Sequence, residues 1–220
     1  MTFRRLAAAL CAFLALPVSA EIRPVPTQAP AGVYKLDPDY ARVIFKVSHL
    51  GFSNYTALFT RLDAELVFDP EDPEAMMLRA TVDPASIETH YPDPTFNFNA
   101  LLAGPDFLDA GQFPEITFES TSIRLTAPDR AAVRGFLTLH GVTREITLRV
   151  KYNGGYAGHP ADPGGARIGF SASGTIFRSH FGMSLGLPEP GTTLGLGDAV
   201  QVQIEAEFIN PDAPGPQLGP

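Results

Sequence analysis

Pro114-Glu115-Ile116-Thr117-Phe118-Glu119-Ser120 and, a little further on, Gly135-Phe136-Leu137-Thr138-Leu139-His140-Gly141-Val142-Thr143 decide how this chain reads. In each stretch apolar and polar residues alternate, the period-two mark of a strand with one dry face. The second passes through a tight His-Gly turn into another alternating segment, Arg144 to Tyr152. The pattern recurs outward from there. Val43, Phe45, Val47 and His49 share a face against Lys46 and Ser48, and Leu62, Ala64, Leu66 and Phe68 oppose Asp63 and Glu65. Met76 to Val82 and Ile168 to Ile176 alternate likewise, a short strand fits 33–36, and Val200 to Phe208 is the cleanest run. Eight or more antiparallel strands, each with one apolar face, must close on themselves or pair as a sandwich to hide those faces and their edges.

Helical periodicity is weak throughout. The best candidate is Phe98 to Ala110, where Asn97 or Asn99 can cap a short helix and Gly104-Pro105 interrupts it. One or two short helices are therefore expected over a barrel mouth. The glycine- and proline-rich stretches 153–166 and 186–198 read as loops.

The ends carry different signals. Residues 1–20 read as a signal peptide: Arg4 and Arg5 give a basic start, Leu6 to Leu16 an apolar run too short to span a bilayer, and Val18-Ser19-Ala20 the small residues of a cleavage site. An N-terminal anchor is the other reading, against which Pro17 and the small residues argue. Cleavage after Ala20 delivers the chain to the periplasm, with Sec and twin-arginine export both open. Residues 21–32 form a proline-rich leader that cannot build a sheet, 33–209 one barrel domain, and 210–220 a tail expected to fray. Of 16 basic residues two leave with the signal, so 14 face 24 acidic ones. That balance disfavours nucleic acid, whose phosphates require basic patches. The one cysteine, Cys11, leaves too, so the exported chain is held by core burial without disulfides.

In order along the chain, Tyr34-Lys35-Leu36-Asp37-Pro38, Val43-x-Phe45-x-Val47-x-His49-x-Gly51-Phe52-Ser53, Phe59-x-x-Leu62 and Phe68-Asp69-Pro70 are followed by a longer run. That run is Asp106-Phe107-Leu108-Asp109-x-x-x-Phe113-Pro114-x-Ile116-Thr117-Phe118-x-Ser120. Gly135-x-Leu137-Thr138-x-x-Gly141-Val142-Thr143 and Arg178-x-x-Phe181-Gly182-Met183 complete the set. Over residues 33–209 the chain thereby resembles the YceI-like family. The resemblance implies an all-β fold, an antiparallel eight-stranded lipocalin-like β-barrel, enclosing an apolar cavity for a polyisoprenoid lipid such as an isoprenoid quinone or a prenyl phosphate. A membrane cytochrome or a lipid-handling enzyme is the implied partner, and monomer and dimer both stay open. Ala57 and Ala64 stand where relatives often have glycine, and Tyr40-Ala41 where a His-Ser pair is commoner. Pro94 to Leu101 replaces a more charged stretch, so the headgroup preference is open to change.

The aromatic inventory suits such a cavity. Without Phe3 and Phe13 the exported chain keeps 14 of 16 phenylalanines and has no tryptophan, and phenylalanine offers a wide, purely apolar surface. A barrel of this size holds either its own side chains or one small ligand, and composition alone leaves both open. The expected lining is Phe45, Val47, Leu66, Phe68, Phe98, Phe107, Phe118, Leu137, Leu139, Phe170, Ile176 and Phe181. His49, Ser53, Asn54, Asn97, Asn99, Arg178 and His180 are the headgroup candidates. Arg178 is in phase with Ile176, and its bland alternative is a salt bridge to Asp106 or Asp109. Enzymatic readings find little. The five histidines are scattered without metal-ligand spacing, and no nucleophile elbow is present. No catalytic residue, metal or cofactor is expected beyond the lipid. A haem-linked barrel using His49, or a solid interaction module, are the competing classes.

Overall fold

The computed structural model describes residues 22–162 and 165–213; the segment read as a signal peptide, its expected cleavage site and residues 214–220 lie outside them. The strands are β1 (Gly32–Leu36), β2 (Arg42–His49), β3 (Ser53–Phe59), β4 (Leu62–Phe68), β5 (Met77–Val82) and β6 (Ile87–Glu88). After the helix α1 (Phe98–Ala103) come β7 (Ile116–Ala127), β8 (Arg130–Leu139), β9 (Val142–Tyr156), β10 (Ala166–Phe177) and β11 (Leu196–Asn210).

The ring runs β1-β4-β5-β7-β8-β9-β10-β11 and is closed by the pairing of β11 with β1. It is an eight-stranded antiparallel barrel. β2, β3 and β6 are the upper halves of staves whose lower halves are β1, β4 and β5. The breaks fall at Asp37-Pro38, Thr60-Arg61 and Asp83-Pro84, where proline removes a ladder donor or a turn takes its place. β11 pairs with β1 at its lower end (Leu36 with Phe208) and with β2 at its upper end (His49 with Leu196). On the upper half β6 pairs only with β3, leaving a gap before β7. The segment carrying α1 fills that gap, packing Leu102, Ala103 and Leu108 against Ala57, Phe59 and Ile87. Asn97 caps α1 by accepting from Ala100 N–H at 2.9 Å, and Gly104 ends it.

The His-Gly turn is real: His140 and Gly141 both have positive φ (52° and 72°) between the paired Leu139 and Val142. That conformation matches the twist of the flanking strands. His140 is half-buried, its Nδ1 3.1 Å from the Phe181 carbonyl. Three further expectations need correction. Ser53–Phe59 is a strand in addition to those expected. β9 runs on through Asn153 to Tyr156, and β11 begins at Leu196, shortening both expected loops. Asn210 is the buried last residue of β11, paired with Ala166, rather than the start of a fraying tail.

The core follows the wall except at the lower end, where Phe68 of β4 stacks on Tyr152 of the opposite stave β9 with ring centroids 6.1 Å apart. Buried apolar residues fall into four separate clusters around the barrel. One of them, at the lower end, is built on Tyr34, Phe68, Ile168 and Phe208. Tyr34 is fully buried, its hydroxyl donating to the Pro30 carbonyl at 2.8 Å, and burial pushes its phenol pKa up to about 12. Outside the same end, Arg167 is held by Asp37 (2.8 Å), Asp162 (2.6 Å) and Glu207 (2.7 Å).

Candidate functional site

The staves enclose a cavity of about 820 Å³, large for a small-molecule site, where ~300–1,000 Å³ is usual. It runs the length of the barrel. Val200, Val202, Ile204, Ala206 and Phe208 of β11 all line it, a span of about 26 Å at ~3.3 Å per residue. Along the axis that is about 20 Å, given the ~40° tilt of barrel strands. Val43, Phe45 and Val47 point inward yet stay only half-buried, because they face the hollow rather than other side chains.

Of the expected apolar lining residues all but one face this cavity: Phe45, Val47, Leu66, Phe68, Phe98, Phe107, Phe118, Leu137, Leu139, Phe170 and Ile176. Phe181 does not. It lies in the turn after β10, where strand phase no longer applies, and is buried against Leu139 and Met183.

The polar candidates separate more sharply. His49 lines the upper end of the cavity, and among the described residues no hydrogen bond engages its imidazole. Ser53 and Asn54 are exposed at the start of β3, away from the lining. Asn97 is spent on the helix cap. Asn99 ties α1 to β6, accepting from Thr89 N–H (3.0 Å) and Oγ1 (2.6 Å) while donating to Glu88. His180 is exposed outside the barrel, its ring 5.2 Å from that of Phe177.

Arg178 borders the cavity, but neither Asp106 nor Asp109 is its partner. Its guanidinium donates to four carbonyls: Gly197 (3.0 Å), Met183 (3.4 Å), Leu185 (3.2 Å) and Leu196 (2.9 Å). Burial lowers its pKa, and the nearby Asp198 charge opposes that shift. Burial would raise the pKa of Asp198, yet hydrogen bonds from Ser179 N–H and Oγ, both 2.8 Å, keep it low. Arg178 is thus a clamp on the loop between β10 and β11.

Sequence reasoning missed the aromatic mouth. Tyr55, Tyr91 and Phe96 join Phe98 at the upper end. The Phe98 ring lies 5.6 Å from Tyr55, 5.0 Å from Tyr91 and 6.1 Å from Phe96. The alternation Tyr55, Ala57, Phe59 was the available signal for the first, while the loop residues carry no period. Every buried side-chain polar atom among the described residues has a partner, as native interiors require. No group of three or more His, Cys, Asp or Glu among those residues could hold a metal.

A model of the YceI-like domain matches residues 34–208, from the fully buried Tyr34 to the last inward residue of β11. The chain belongs to the YceI-like family. A UPF0312 protein of Pseudomonas putida (strain W619) is 36% identical over 169 residues, 76% of this chain and 82% of that protein. The crystal structure of Burkholderia cenocepacia BcnA superposes with a TM-score of 0.65 at 24% identity, over 78% of this chain and 98% of that one. A polyisoprenoid binding domain from Saccharophagus degradans shares the fold at a TM-score of 0.56 and 16% identity, over 81% and 98% of the two chains. The cavity of this YceI-family barrel is apolar and of a size for a hydrophobic ligand.

Proposed function

We propose that this protein is an exported carrier or store of a polyisoprenoid lipid, an isoprenoid quinone or a prenyl phosphate, held tail-down in the barrel with its headgroup at the upper mouth. The observation that carries the reading is the apolar cavity of about 820 Å³ running end to end. Each buried methylene is worth ~0.8 kcal/mol, and a micromolar complex needs about 8 kcal/mol. Roughly ten methylenes meet that, and a prenyl chain has enough to cover the ordering costs as well. His49, which lines the upper end of the cavity as Tyr55 and Tyr91 do, is the polar group we assign to the headgroup. The Saccharophagus domain supports the reading through its shared fold.

Phe45→Asp tests it. The change sets an unpaired carboxylate in the lining, where burying charge is costly. Uptake of a prenyl alcohol should fall by about tenfold or more while the far-UV circular dichroism stays that of the unaltered protein. Full uptake by the folded variant would remove the cavity from the account.

A further inference from the structure

Part of the floor at the lower end of the cavity is a segment that no strand pattern explains. Residues 22–31 join no sheet, yet Pro24, Val25 and Thr27 line the cavity where β7 turns into β8. Val25 N–H donates to the Pro128 carbonyl at 2.9 Å, and Thr27 Oγ1 shares a 2.6 Å hydrogen bond with the Tyr152 hydroxyl. Behind this tip the anchoring is firm. Ala29 is 2% exposed in the lower core cluster, and Tyr34 holds the Pro30 carbonyl. The tip is held lightly, with Val25 37% exposed. Prolines 24, 26 and 30 fix φ and stiffen a stretch that lacks ladder partners. Pro70, Pro73, Met76 and Pro128 line the same end, where the Phe68 ring also stacks on that of Tyr152 from an opposite stave at 6.1 Å; the tip, bonded to Tyr152 through Thr27, completes the floor beside these rings.

We propose that Pro24–Thr27 is a stopper that sets the longest hydrocarbon tail the barrel accepts. The inference rests on the polyisoprenoid reading above: a tail entering past His49 and Tyr91 and outrunning the tunnel meets Pro24, Val25 and Thr27.

The test compares three proteins: the chain from Glu21, the chain from Gln28, and the chain from Glu21 carrying Pro24→Gly and Val25→Gly. The glycine variant keeps Ala29 and the Tyr34 anchor, so it guards against misfolding of the shortened chain. Each is offered one mixture of prenyl alcohols of graded length, and the bound lipids are extracted and quantified by mass spectrometry. The ratio of long to short chains should rise about tenfold in both variants, the effect of burying about two further methylenes. An unchanged ratio in variants that still take up short chains would overturn the stopper and leave the lipid reading standing. Loss of all uptake in both variants, with the unaltered chain binding normally, would make the segment part of the wall and also overturn it. No uptake by any of the three would sink the lipid reading, and the stopper with it.

Discussion

Arg178 shows how a side chain in register with a cavity lining can belong to the wall. Its position in phase with Ile176 suggested a charge aimed at the ligand or at Asp106 or Asp109, but four carbonyl bonds make it the tie between β10 and the loop leading to β11. Removing a buried cation leaves those carbonyls without their donor. Arg178→Met should cost about 3 kcal/mol of stability, read as a lower urea midpoint, with the remaining folded protein still taking up lipid. A variant of undiminished stability that has lost the lipid would make Arg178 a headgroup contact instead. The apolar lining was legible because alternation assigns every second strand residue to one face, and it failed at Phe181, one turn beyond the strand. The polar candidates were legible only as residue types. Asn97 and Asn99 are spent on a cap and a tether, uses that spacing does not distinguish from ligand contact.

Among the elements, the long staves β9 to β11 announced themselves because one face is polar and the other apolar over seven residues or more, whereas β7 was legible only to Ser120, where its register shifts. β3 did not, since small or polar residues such as Ser53, Asn54 and Ala57 blunt its contrast and Leu58 is apolar on its outer face. The leader was invisible for a different reason: its order comes from contacts to Pro128 and Tyr152, more than 100 residues away, which no local pattern encodes. On β8, Gly135 marks a close approach. A Cβ there would meet the Glu119 carbonyl and come within 2.5 Å of the Phe118 ring, and neither has room to yield without disturbing the β7–β8 pairing. Gly135→Ala should therefore destabilise by about 2 kcal/mol, seen as a shifted urea midpoint with an unchanged slope. A neutral effect would mean that the Phe118 ring swings into the cavity freely.

For the molecule as a whole, closure and hollowness are separate achievements. Closure follows from strand count and the need to hide edges, and the family motifs carried it. Hollowness depends on how far the inward side chains reach, a sum over all staves that composition could not settle. Among the described residues the buried side chains form four clusters that bound a space about 20 Å long, the lowest of them reaching across the barrel. A tube of that kind in a chain bearing 24 acidic residues offers a lipid tail shelter while its exterior stays compatible with water. The decisive measurement is mass spectrometry of the organic extract from protein purified out of its native host. The account predicts a prenyl lipid in near one-to-one ratio to protein. An extract without prenyl lipid, or a haem absorption band in its place, would contradict it.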